Sequence, residues 1–477
     1  MTLFKGIISA VRAMPDMREN VYFAVGKNVV QFKSNVVFSL CDTVEFEIPA
    51  IQTDGGVPLI ENALTGDKVT LEELEANINA VCGKITIEDN AAELDELLSK
   101  HNEIKTIVKN MNAQLLDCAR AFLASFVSGA PIIVRFHNDG DGSSGAMALY
   151  AAVNGLQRQV FINGRQIIWK MQRGIAYDDE SMYEDMLQFG QYDAAKKPVV
   201  VIIDFGTSPE SESAVHTIKD KADLLWLDHH PTYDGFPKDE IRSYINPWDF
   251  GGNSDFTAGA LACAFATILY NCDAAGLIEA SLVSDYSAYA DYGDRKAQDM
   301  ALILDFLTSG SKAHGMANMT PKTFSDVFAD KARYGETLMR ARSLLEEALE
   351  IGMQRVKHYK SEIGINVYVL DFGHIAELGK GYPLPGRFSS RLQDRIEELN
   401  AGKTITVVHY GNYISMRESN DVVGRIKILD VVNELKKASP YVKSGGGHNE
   451  AASIKVLREN TQYVLKLLLK YFGVESG

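Results

Sequence analysis

Phe136 to Ala146 reads FHNDGDGSSGA and sets His137, Asp139 and Asp141 within one turn. Carboxylates that close repel one another, so something positive has to compensate them. The composition changes abruptly on either side of this turn. PIIVRF, starting at Pro131, is an apolar run of strand length, and SSGAMALYAAVNGL has helical apolar spacing, so the turn joins a strand end to a helix start. Two more apolar runs end alike: PVVVIIDFG in Asp204, and DLLWLDHHP in Asp228, His229 and His230. Val, Ile and Leu without polar alternation predict strands covered on both faces, and their alternation with helices predicts a parallel sheet. Ligands of such sheets bind beyond the carboxyl ends of the strands, where these acidic and histidine residues fall.

A loop rich in Asp, Asn and Gly is commonly no more than a turn. A calcium loop is a second reading, with His137, Asp139, Asp141 and Gly142 at its first ligand positions, but Ala148 stands where the bidentate Glu belongs. A third reading is a centre for two divalent metals, which needs carboxylate and imidazole ligands, a bridging carboxylate and open positions for water and substrate. One turn cannot supply this. Asp204, the triplet Asp228, His229 and His230, and Asp285 in LVSDYSAYADYGDR, taken as a further strand end, can. Taken singly, Asp204 reads equally as a helix N-cap and the two histidines as a polar pair. Their joint placement is what points to metal.

The 477 residues of the chain exceed what one core serves, so two or three domains are expected. Residues 1–60 read as a small β-rich module, because VYFAV, NVVQF, NVVFSL and TVEFEI alternate between turn residues; their order resembles an OB or cold-shock barrel. Residues 61–129 form a helical connector, with one or two helices from 90 to 128, and residues 130–310 the parallel-sheet domain. A helical linker over 311–360 and a smaller α/β domain over 361–477 complete the predicted α/β architecture, with a cleft between the two α/β domains. Five scattered cysteines without a CxxC pair suggest neither a disulfide framework nor a structural zinc site. With no long apolar run and a charged N-terminus, the chain is expected to be cytoplasmic, with no membrane association. A net charge of −15 argues against a uniformly basic nucleic-acid coat. The charge is uneven: residues 361–477 hold 15 basic against 13 acidic side chains, a net of +2, leaving −17 for the rest. Divalent cations among the aspartates would cancel part of that excess.

HNDGDG, DFG, DHH, the pair Asn246 and Pro247, and VSD, in this order, resemble the DHH phosphoesterase superfamily. SGGGHNEAA from Ser444 is similar to the glycine-histidine motif of that family's associated C-terminal domain, and SRL from Ser390 and SMRES from Ser415 resemble its substrate-facing segments. The likeness covers residues 130 to about 475. Within the superfamily, the spacing H-x-D-x-D-G is similar to RecJ-type single-strand exonucleases, the archaeal ones in particular.

The resemblance implies that His137, Asp139 and Asp204 hold one Mn²⁺ or Mg²⁺, with Mn²⁺ preferred, while Asp141, Asp204, His229 and Asp285 hold the other, Asp204 bridging them. It implies that Asp228 orients a histidine and His230 faces the scissile phosphate, so that Asp204, Asp228 and His230 form the catalytic group. Gly445, Gly446, Gly447 and His448 would approach a phosphate, and Arg391, Ser415 and Arg417 the terminal nucleotide. The activity implied is two-metal hydrolysis of single-stranded DNA or RNA to mononucleotides, with GINS-like replication-complex proteins as partners by family analogy. Two alternatives stand beside it: a phosphodiesterase for short oligoribonucleotides or cyclic dinucleotides, and a replication scaffold without activity.

Overall fold

In the computed structural model, residues 2–14, 20–48, 57–161, 167–310, 319–378, 381–399, 402–423, 426–447 and 451–474 are described. They belong to two compact units, Met1–Ala301 with Thr320–Ser325, and Leu302–Met319 with Asp326–Gly477. The first unit opens with β1 (Thr2–Arg12), β2 (Asn20–Gly26), β3 (Val29–Ser34), β4 (Asp42–Ile48) and β5 (Leu64–Lys68). These pair antiparallel in the order β3-β2-β1-β4-β5, and no ladder joins β3 to β5 among the described residues. Lys33 on β3 is nevertheless bridged to Leu59, just ahead of β5, with Lys33 N donating to the Pro58 carbonyl and Ile60 N to the Lys33 carbonyl, both at 2.8 Å. NVVFSL departs from expectation, since residues 35–40 are a connection and not a strand. Its Phe38 is buried all the same, edge-on to Tyr22 with ring centroids 5.1 Å apart. An apolar alternation reports which side chains are buried, and a loop packed on a sheet satisfies it as well as a strand does.

Five helices follow: α1 (Leu71–Cys82), α2 (Ile87–Ala92), α3 (Leu94–Leu97), α4 (Asn102–Asn110) and α5 (Asn112–Ser128). The stretch from 90 to 128 is more broken than predicted. One break falls at His101, whose backbone leaves the helical region (φ −127°, ψ 73°) as its buried ring meets Glu279 at 2.9 Å.

The parallel sheet consists of β6 (Ile132–His137), β7 (Ile168–Gln172), β9 (Val199–Ile203), β10 (Asp223–Leu227) and β11 (Ser243–Ile245), in the order β11-β10-β9-β6-β7. The short β8 (Tyr192–Ala194) leaves this region to pair with β1, tying the N-terminal sheet to it. One face of the parallel sheet, with Ile133, Val200, Ile202, Leu224 and Trp226, packs on α7 (Asp179–Phe189) and α8 (Glu212–Ile218). The other is covered by α6 (Gly140–Val160) and α9 (Ala258–Leu269), beside which α10 (Ala275–Ser284) packs. β7 is laid on one side of β6 and β9 on the other, so the chain changes its winding direction between β6 and β9. That switch opens a crevice at their carboxyl ends.

A buried ion pair fixes β6. Arg135, 3% exposed, donates from Nε and Nη2 to the two Asp185 carboxylate oxygens, both at 2.8 Å, and from Nη1 to Gln172 Oε1 at 3.0 Å. Tyr177 Oη donates to the same carboxylate at 3.1 Å. Two charges out of water are held here only because each is paired and hydrogen-bonded.

In the second unit, β12 (Lys357–Lys360), β13 (Asn366–Asp371), β14 (Thr404–Tyr410), β15 (Tyr413–Glu418), β16 (Val442–Gly447) and β17 (Ala451–Val456) form a mixed sheet ordered β12-β13-β14-β15-β17-β16. Helices Pro385–Leu399, Ile428–Ala438 and Thr461–Tyr471 pack against it. All five cysteines are free. Among the described residues no helix is long and apolar enough to cross a membrane.

Asp185→Ala would leave the buried Arg135 guanidinium with the exposed Glu184 carboxylate at 3.1 Å in place of its two-oxygen buried partner. We expect a loss of about 3–5 kcal/mol in unfolding free energy, read from the urea midpoint; an unchanged midpoint would show that the pair does not hold β6.

Candidate metal centre

β6 ends on His137, and the chain turns directly into α6 with Asp139 as its N-cap, its Oδ1 accepting from Gly142 N at 3.0 Å. The other oxygen of Asp139 lies 2.7 Å from His137 Nδ1, which is also 3.6 Å from Asp204 Oδ2. Asp204 follows β9 across the switch point, in left-handed backbone with φ +69°. A non-glycine residue there carries strain, a cost tolerated mostly where function fixes a side chain.

After β10 come Asp228, His229 and His230. His229 Nδ1 lies 2.6 Å from the Ser254 carbonyl, which can only accept, so Nδ1 carries the proton and Nε2 is the nitrogen turned to the carboxylates. From Nε2 the distances are 3.3 Å to Asp204 Oδ1, 3.5 Å to Asp285 Oδ2 and 3.8 Å to Asp141 Oδ2. Two triads result, His137–Asp139–Asp204 and Asp141–His229–Asp285, each with its donor atoms within 4.8 Å of one another. Asp204 turns one oxygen to each triad.

Asp285 corrects the sequence reading in one respect. It caps the C-terminal end of α10 and does not follow a strand. The buried helix segment LIEASLVS is short and apolar, and periodicity does not separate such a run from a buried strand.

The supports of Asp141 were not visible in the motifs. This fully buried carboxylate accepts from Gly259 N at 2.9 Å, from Ala258 N at 3.1 Å and from the Ser281 hydroxyl, itself paired with Thr257. The N-terminus of α9 thus points its amides at a carboxylate. Gly259 permits the approach, for a β-carbon there would stand 2.6 Å from Asp141 Oδ1. Asn246 has a similar supporting role: its amide donates to the His230 carbonyl and to Tyr244 Oη, both at 2.9 Å.

Electrostatics express the crowding. Burial disfavours a charged His137, yet Asp139 and Asp204 outweigh it and raise its pKa well above the ordinary 6.5. Burial is likewise overcome at His229 by Asp204, Asp285 and Asp141, and its pKa is also well above 6.5. Asp141 is pushed well up by burial and by Asp204, with His229 opposing. Asp228 differs: burial works against its charge, but His230 and His229 prevail and bring it down to about 2. Its Oδ1 lies 2.8 Å from His230 Nδ1 and accepts from the amides of His229 and His230. Asp228 therefore holds His230, whose side chain is 31% exposed.

The donor set fits hard divalent cations. It is oxygen-rich with imidazole, and Asp204 Oδ2 is buried with no hydrogen-bond partner among the described residues. His137, Asp139 and Asp204 would hold one ion, and Asp141, Asp204, His229 and Asp285 a second.

The remaining candidates lie in the second unit. Arg417 on β15 donates to Ser390 Oγ at 2.8 Å, to Ser415 Oγ at 3.2 Å and to the Gly386 carbonyl at 3.3 Å, and Ser415 lies 2.8 Å from Ser389 Oγ. Arg391 forms a surface pair with Asp394 at 3.7 Å. Gly445, Gly446 and Gly447 lie on β16, half-buried, with Gly447 at φ +138° in backbone that favours glycine. His448 lies outside the described residues.

No family model matches the chain. An uncharacterized protein of Methanocaldococcus jannaschii is 24% identical over 92% of this chain and 67% of its own length. A solved structure described as the DHH domain of a member of a family of ribosomal proteins is 21% identical, with a TM-score of 0.65 over 78% of this chain and 93% of that one. RecJ from Thermus thermophilus in complex with Mn²⁺ is 14% identical, with a TM-score of 0.49 over 75% of this chain and 54% of that one. The fold is that of a DHH-domain protein.

A group whose folded pKa is raised binds its proton more tightly in the folded protein, so its stabilisation is lost as pH rises through that pKa. His137, Asp141 and His229 are all raised. Without metal, the melting temperature should fall as pH rises above the ordinary imidazole value of 6.5, and Mn²⁺ should restore it most at the alkaline end. A melting temperature that rises with pH in the metal-free protein would contradict this site electrostatics.

Proposed function

We propose that this chain, with its DHH-domain fold, is a metal-dependent phosphodiesterase of the RecJ-like kind, removing mononucleotides from single-stranded DNA or RNA. One observation carries the reading: Asp204 turns one oxygen to His137 and the other to His229, 3.6 and 3.3 Å away, as a carboxylate shared by two cations requires. When bound, a pair of divalent cations makes a water acidic enough to supply the nucleophile and neutralises charge on the phosphoryl oxygens.

The chain's own residues supply the rest. The strand-end ligands are preset by supports that do not move with substrate: Gly259 N and Ser281 for Asp141, and the Ser254 carbonyl for His229. With Nδ1 held by Asp228, His230 presents Nε2 as a hydrogen-bond donor to a non-bridging phosphoryl oxygen, and Asp228 favours its charged form. The Ser390, Ser415 and Arg417 group and the β16 glycines offer a second polar surface suited to a terminal phosphate or sugar. The intact donor set favours an enzyme over a scaffold without activity.

Strands of DNA and RNA labelled at either end, offered beside dinucleotides with Mn²⁺, test this. We expect stepwise shortening of long strands and a loss of at least about a thousandfold in Asp204→Ala. Cleavage of dinucleotides alone would replace the exonuclease reading by the small-substrate one, and undiminished activity in Asp204→Ala would remove the bridge.

A further inference from the structure

Trp248 is an unusual residue to find at the rim of a polar, acidic centre. It lies in the turn Pro247–Phe250 and is 44% exposed, whereas Trp226 is fully buried. Its exposure does not come from a loose side chain. The indole Nε1 donates to the carbonyl of His229 at 3.1 Å and to Ser254 Oγ at 3.2 Å, and Ser254 Oγ donates to that same carbonyl at 2.9 Å. The Trp248 amide donates to Asn246 Oδ1 at 3.0 Å. A large apolar ring is thus fixed to the backbone of a ligand histidine and still faces water. A second exposed aromatic, Tyr286, directly follows Asp285 and is held in left-handed backbone at φ +55°. Bulky residues rarely adopt that conformation. The ligands to which these aromatics are tied, His229 and Asp285, face each other at 3.5 Å.

We infer that Trp248 is a base-stacking platform, setting the nucleotide next to the scissile phosphate, with Tyr286 as a second aromatic surface. The inference rests on the nucleic-acid reading above and deepens it. Every base has an apolar π-face, so a fixed indole binds strands without regard to sequence, and its contribution is independent of phosphate charge. In a chain of net charge −15, such a contact supplies affinity that basic side chains do not. Because the indole is preset by its hydrogen bonds, little side-chain entropy is lost on stacking.

The competing reading is that Trp248 only latches His229 in place. Equilibrium binding of a ten-nucleotide oligothymidylate and of an abasic strand of the same length, with Ca²⁺ in place of Mn²⁺, separates the two. As a platform, Trp248 makes wild type prefer the base-bearing strand. Trp248→Ala then weakens binding of that strand by between about fivefold and a hundredfold, and in separate turnover assays with Mn²⁺ it raises KM more than it lowers kcat. Trp248→Phe, which keeps a ring but loses the indole donor, retains most of the preference. If both variants lower Mn²⁺ affinity and weaken the two strands equally, or if wild type shows no preference, the platform is overturned while the nucleic-acid reading stands. A wild-type protein that binds neither strand overturns both.

Discussion

Like charge confined in a small volume is the constraint around which the first unit is built. Asp139, Asp141, Asp204 and Asp285 converge on two imidazoles with donor separations between 2.7 and 3.8 Å. Two unit charges 4 Å apart interact by about 4 kcal/mol at the effective dielectric of a protein surface, so such a group cannot stay fully ionised without compensation. In the metal-free protein the compensation is protonic, which is why His137, Asp141 and His229 all hold their protons more tightly than usual. Divalent cations held among these carboxylates would do the same more fully.

The sheet makes that convergence possible. Strands β6 and β9 are neighbours, yet their following segments leave in different directions, so the acidic tips enter a crevice instead of a helix interface. The Arg135–Asp185 pair anchors β6 two residues before His137, and the α9 amides anchor Asp141 from the other side. His137 and Asp141 stand within β6 and α6, while Asp139, Asp204, His229 and Asp285 sit within two residues of the ends of elements, and loops further out carry Trp248 and Ser254.

The parts of this centre legible in the sequence were those where one strong signal had one structural cause. Continuous Val and Ile before Asp204 can hardly be anything but a strand covered on both faces, and its end is where a ligand belongs. Signals with two causes misled: NVVFSL is buried as a loop, and Asp285 ends a buried helix. β7, half-buried throughout, carries no continuous apolar run and gave no signal. Ser281, Thr257 and the amides of α9 were invisible for a different reason. They reach Asp141 from more than a hundred residues away, through backbone groups and small hydroxyls that any helix could contain.

Everything proposed for this centre requires Asp204 to be shared between two cations. Anomalous diffraction at the manganese edge from crystals soaked in Mn²⁺ tests it most directly. Two peaks are expected, one on each side of the Asp204 carboxylate, the first beside His137 and Asp139 and the second beside Asp141, His229 and Asp285. A single peak away from Asp204, or none at saturating Mn²⁺, would contradict it.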